Sequence, residues 1–189
     1  MKKVNFKNVI GFRQSVVEQK KSLHIGGYMG CPDGDVEVFE AGRDLMVMCN
    51  GKGVGVFRDV WQPEELVAVA QTYNEAGYPE NHRLFGSGSA GWSDVRRVIA
   101  EAMPVKMRVT DRSIARVRDL RMEDIRDLGC NVAKDGSVEV RGTRGNIFFP
   151  WDGDAKSRAL KLIFQTEGWE YDENAVLLLY RFDIEREQL

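Results

Sequence analysis

At 189 residues the chain is long enough to bury a real core and suits one domain. Its 27 Lys and Arg against 29 Asp and Glu give a formal net charge of −2, which removes the simplest argument for nucleic acid, a strongly basic surface. No run approaches the roughly eighteen apolar residues of a membrane span, and Met1–Lys7 lacks the apolar stretch that follows a signal peptide's basic start, so no membrane is expected and cytoplasm is the expected compartment.

Cys31, Cys49 and Cys130 are widely spaced, odd in number and never in a C-x-x-C pattern, which argues against a disulfide scaffold or a zinc knuckle and for buried, reduced thiols. Charge is uneven along the chain: residues 105–144 hold ten Lys or Arg against seven Asp or Glu, whereas 151–189 hold five against nine. A local basic face therefore survives the neutral total.

In chain order, Phe12, Val16 and Val17 with polar neighbours up to Lys21 predict a short amphipathic helix. Gly26-Gly27, Gly30 and Pro32-Asp-Gly34 break it. Val36–Phe39, Leu45–Cys49 and Val54–Phe57 read as strands, and Asn50-Gly51 is a strong hairpin signal between the last two. Pro63 followed by two acids predicts a helix closed by Gly77. The polar, glycine-rich 78–91 stretch is a long loop, within an expected insertion or long loop at 76–102, and Ser93-Asp94 can cap a helix reaching Ala102. Lys106–Thr110 and Ser113–Val117 read as two strands, Arg121–Gly129 as a helix ended by glycine, and Val138–Val140 and Ile147–Phe149 as strands. Asp154 caps a helix through Phe164 that Gly168 ends, and a uniformly apolar strand over 175–180 closes the chain, buried on both faces. Strands and helices interleave without a βαβ rhythm, so the expected class is α+β.

Several motifs carry candidate chemistry. Gly86-Ser-Gly88-Ser-Ala-Gly91 satisfies G-x-G-x-x-G, but no buried strand precedes it and a flexible loop is the better reading. Lys106, Arg108, Arg112, Arg116 and Arg118 could contact phosphates, with local ion pairing to Asp111, Asp119, Glu123, Asp124 and Asp127 as the alternative. Trp151 is the expected exposed stacking platform among four tryptophans. His24 and His82 are the only histidines, and neither a metal site nor a cofactor is expected.

Met103-Pro104 with Met107–Gly129 resembles the central signature of ASCH domains, in the version found in phages and prophages, where a strand pair runs into an "L-x-x-E-D" helix ending at glycine. Trp169, Asn174 and the Val176–Phe182 strand resemble that family's closing turn and last strand. Phe12–Ile25 resembles its opening helix with Gly-x-Lys-x-x-(Glu/Thr)-x-Arg, in which Lys21 falls on the lysine, Gln19 on the glycine, His24 on the Glu/Thr position and Gly26 on the arginine.

The resemblance implies a single domain over 1–189 with a PUA-like fold, a small β-barrel with flanking helices, whose relatives bind RNA or modified nucleobases beside the first helix. Some bacterial members with this pattern are acetylcytidine amidohydrolases using a lysine, a threonine and a glutamate. Here His24 and Leu128 stand at the threonine and glutamate positions, and a leucine exchanges no proton. The leading expectation is therefore non-catalytic binding of nucleic acid, a nucleotide or a modified nucleobase, with Lys21 and His24 at the ligand and Arg108, Arg112, Arg116 and Trp151 along the approach. The alternatives are a divergent amidohydrolase using Lys21 and His24, or a phage accessory protein that binds a host protein through the 78–91 loop.

Overall fold

The computed structural model describes residues 1–6, 16, 18, 21–86, 88–142 and 145–187. The helix expected over Phe12–Lys21 falls mostly outside them. Within them the architecture is α+β. A central five-stranded sheet has the order β1-β6-β7-β11-β2, built from β1 (Lys2–Val4), β2 (Leu23–Met29), β6 (Leu66–Val69), β7 (Val105–Arg116) and β11 (Val176–Arg186). Strands β1 and β6 run parallel, and the other neighbours are antiparallel.

Two three-stranded sheets flank it. One is the meander β3 (Val36–Ala41), β4 (Asp44–Cys49) and β5 (Lys52–Phe57). The other runs β10-β9-β8, from Ile147–Phe149 through Val138–Val140 to Asn131–Val132. Two α-helices are described, α1 (Met122–Asp127) and α2 (Ala155–Glu167).

The closing strand organises these layers because its side chains alternate. Leu177, Leu179 and Phe182 enter a core with Ile125 and Leu128 of the α1 end, Leu160, Ile163 and Phe164 of α2, and Val138 and Val140 of β9. Val176, Leu178 and Tyr180 enter a second core against Leu45, Val47, Cys49 and Phe57 of the meander. Burial of both faces explains why this strand reads as an unbroken apolar run. Trp169 stacks on Tyr28 with ring centroids 5.5 Å apart and meets Phe164 edge-on, which fixes the turn into β11 against α2.

Three expected elements differ. The helix expected from Pro63 to Gly77 is instead strand β6 followed by turns: Glu64 adopts a φ of 68°, which a right-handed helix does not tolerate, and Leu66–Val69 finds partners on both β1 and β7. Tertiary pairing overrides the proline-plus-acid start signal. The helix expected up to Ala102 is a series of single 3₁₀ turns at Ala90–Trp92, Val95–Arg97 and Ala100–Ala102, packed with Tyr73, Val98 and Met103. Lys106–Thr110 and Ser113–Arg116 are one strand, ended by a 3₁₀ turn that takes Val117, and its pairing with β11 slips between Val109 and Asp111, leaving Thr110 as the extra residue.

Asn50 and Gly51, with φ of 49° and 72°, make the expected β4–β5 turn. Gly168, at φ 81°, ends α2 as expected. Gly26 has a steric reason: a Cβ there would lie 2.1 Å from the Tyr180 ring, in the middle of the β2–β11 pairing. Gly26→Ala is expected to lower unfolding free energy by about 1–3 kcal/mol, measured by urea denaturation, while the same substitution at Gly30, where a Cβ meets nothing within 4 Å, is expected to change it far less.

Candidate functional site

Lys21 and His24 do come together, at the entrance to strand β2 rather than on one helix face. The Lys21 side chain is buried, with Nζ 5.3 Å from the centre of the Phe6 ring. Burial holds the amine below its usual range, at about 8, against the opposing influence of Cys130 and Glu167. His24 sits between rings, stacked on Trp61 at 5.6 Å and edge-on to Phe6 at 5.0 Å. Burial, with the Lys21 charge adding to it, lowers this imidazole to about 3, so it is neutral near pH 7.

The space left among Phe6, Lys21, His24, Ile25, Leu128, Ile163 and Glu167 is about 10 Å³, room for one water and not for a base. Leu128 is fully buried in that wall. Cys130, next to it, is pushed up to about 12 by burial and is a protonated thiol.

The expected basic row is largely occupied by its own acids. Arg108 pairs with Glu185 at 2.5 Å and Glu64 at 3.4 Å, Arg112 with Glu40 at 2.7 Å, and Lys106 with Glu187. Arg116 is buried and donates to the carbonyls of Pro32, Gly34 and Asn174, clamping two loops onto the end of β7. Arg118 pairs with Asp33 and donates to Asn174 Oδ1. Trp151 is 57% exposed and lies over Gly136 in the β8–β9 turn. In the 78–91 stretch, His82 Nδ1 accepts from the N–H groups of Leu84 and Phe85, and its ring stacks on Phe85 at 5.0 Å, which gives it a structural role.

A much larger hollow lies elsewhere among the described residues, on the outer face of the β8–β9–β10 sheet. It measures about 440 Å³, in the range of small-ligand sites, and its described lining is Arg126, Gly129, Cys130, Asn131, Glu139, Arg141 and Asn146. The register explains how distant residues meet there. Glu139 is directly opposite Asn131 on one side and Phe148 on the other, so all three share one sheet face. Val138 and Val140 point the other way into the core.

Gly129, at φ 99°, ends α1 and turns the chain into β8, which brings Arg126 to the rim. Glu139 accepts from Asn146 Nδ2 at 3.0 Å and from Asn131 Nδ2 at 3.4 Å. Arg141 bonds Glu18 at 2.6 Å. Phe148 stands 60% exposed on the same face. The hollow thus combines amide donors, a carboxylate acceptor and guanidinium groups, and Phe148 adds an open aromatic ring on the same sheet face, outside the described lining.

None of Arg126, Asn131, Glu139, Asn146 or Phe148 stands out in the sequence. The available signal is the alternation of Val138-Glu-Val140 and Ile147-Phe-Phe149, which turns 139 and 148 outward; that they are neighbours follows only from the register. No group of three or more His, Cys, Asp or Glu positioned to hold a metal ion occurs among the described residues, and no described helix is long and apolar enough to cross a membrane. Comparison with known proteins finds no matching family model, no matching curated protein and no matching solved structure.

The buried pair makes stability depend on pH. Between about pH 3 and 6.5 the unfolded chain holds a proton on His24 that the folded chain refuses, so this residue makes stability rise with pH across that window, and its full penalty remains below pH 3. Lys21 acts in the same direction between about 8 and 10.5. Denaturant titrations are expected to show the acid-side rise in the wild-type chain and a shallower one in His24→Gln; equal slopes would remove His24 from this role.

Proposed function

We propose that this protein binds a nucleobase or nucleotide, free or within a single strand, in the hollow on the β8–β9–β10 face and does not transform it. The observation that supports this most is the row Asn131–Glu139–Phe148, with Asn146 bonded to Glu139 beside it. An exposed ring offers a stacking surface to a base of any identity. Amides and a carboxylate in a row beside it suit the donors and acceptors on a base edge. Arg126 at the same hollow suits a phosphate, while Arg141 beside it is held by Glu18.

The reading agrees with the PUA-like, ASCH-type resemblance of Met107–Gly129 and the Trp169–Phe182 stretch, which we take to describe this fold as well. In it the Lys21–His24 pocket supports the floor from behind, through Leu128 and Cys130, rather than holding the ligand. A carbonyl-directed reaction at Lys21 is the second reading, favoured by its lowered amine beside Glu167. It requires the narrow pocket to widen, and it predicts deacetylation of acetylcytidine that is lost in Lys21→Ala.

For the binding reading, titration with the four ribonucleoside monophosphates and a short single-stranded RNA at low salt is expected to show association that weakens as salt rises. Phe148→Ala is expected to cost about five- to 150-fold in affinity, since stacking on an aromatic side chain contributes roughly 1–3 kcal/mol per base. Glu139→Gln is expected to change the order of preference among the bases. No association at low salt with any of these ligands, or affinity unchanged in Phe148→Ala, would contradict the proposal.

A further inference from the structure

Glu139 stands on the middle strand of its sheet, and an asparagine reaches it from either side. Asn146 donates Nδ2 to Oε1 at 3.0 Å, and Asn131 donates Nδ2 to Oε2 at 3.4 Å. Chemistry fixes the sense of both amides. A carboxylate only accepts, so an asparagine bonded to it must offer its nitrogen and turn its oxygen away. Each carboxylate oxygen has two lone pairs and has given one of them to an asparagine, which leaves one on each oxygen, side by side. No Lys or Arg among the described residues takes them, although Arg126 lines the same hollow and pairs with no acid among the described residues. By contrast Arg108, Arg112, Arg118 and Arg181 each hold a carboxylate.

Two adjacent acceptors call for a ligand with two adjacent donors. Of the four RNA bases only guanine has them on one edge, as its N1–H and its N2 amine. Adenine and cytosine offer an amine beside an unprotonated ring nitrogen, whose lone pair would face a carboxylate oxygen. Uracil offers one N–H between two carbonyl oxygens. These three lose a hydrogen bond to the carboxylate and also set acceptor against acceptor, so the arrangement rejects them as well as favouring guanine. Phe148 is directly opposite Glu139 on β10 and 60% exposed, which puts an open ring beside the carboxylate for a base whose edge Glu139 holds.

We infer that the hollow selects guanine, with Glu139 accepting from its N1–H and N2 amine. This rests on nucleotide binding at the hollow and adds which base is taken. A free guanosine nucleotide and a guanosine within a single strand present the same edge.

Equilibrium titration of the full chain with GMP, IMP, AMP, CMP and UMP tests it. IMP keeps the N1–H and lacks the 2-amine. GMP is expected to bind about tenfold or more tightly than each of the others, IMP included, the factor that one hydrogen bond to a charged group contributes. Glu139→Gln turns one acceptor into a donor. It is expected to weaken GMP by about tenfold, while AMP and CMP, whose edges pair a donor with an acceptor, bind as well as before or better. A short uridine strand carrying one guanosine, set against the all-uridine strand, distinguishes a base within RNA from a free nucleotide, and the same preference for guanine is expected in whichever form binds more tightly. Equal affinity for GMP and IMP, or for all five nucleotides, would overturn guanine selection and leave nucleotide binding standing. No binding of any nucleotide or strand would overturn both. The comparison of GMP with IMP uses the unaltered chain, so it decides the matter even if Glu139→Gln fails to fold.

Discussion

Strand β11 hydrogen-bonds to β7 along its whole length and to β2 over Val176–Arg181, while its two faces serve different cores. Leu177 and Leu179 hold the helical layer, and Val176, Leu178 and Tyr180 hold the meander. A large-to-small change at such a position costs about 2–5 kcal/mol, a large part of the stability of a chain this size. The candidate site hangs on this strand at one remove: the hollow sits on a small sheet whose inner face packs with Leu177 and Leu179.

Polar groups near the core show how the chain handles charge. Arg116 is tolerated inside because three carbonyls accept from it. Lys21 and His24 are tolerated because burial shifts both toward their neutral forms, with the Phe6 and Trp61 rings filling the space around them. Tyr180 links the two regions: its ring covers Gly26 and stacks on Trp61 at 4.5 Å, and its hydroxyl accepts from the Trp61 backbone N–H at 3.0 Å. The polar pocket at Lys21 is thereby built into the packing that holds β2 to β11.

Much of this was legible in the residues. The closing strand, the Asn50-Gly51 turn, α1, and α2 with its Gly168 stop follow from local pattern, because apolar period, positive φ and capping are short-range properties. The 63–77 and 93–102 segments were misread as helices for the complementary reason. Leu66–Val69 is a strand because β1 and β7 lie on either side of it, and the 3₁₀ turns pack around Tyr73 and Met103. The same limit applies to the site. Lys21 and His24 are three apart, and their proximity could be anticipated. Asn131, Glu139 and Phe148 span eighteen positions and become neighbours only through two strand registers. The basic residues of 105–118 were visible, but their acidic partners Glu40, Glu64, Glu185 and Glu187 lie far away in sequence.

The proposed ligand is received by the outer face of β8–β9–β10 and not by the pocket at Lys21. Backbone amide chemical shifts recorded while a nucleotide mixture is titrated into the isotope-labelled chain test it most directly. The account predicts that the signals of Asn131, Glu139, Asn146 and Phe148 move together and saturate, with those of Leu23–Ile25 nearly still. Shifts centred on Leu23–Ile25, or none anywhere, would contradict it.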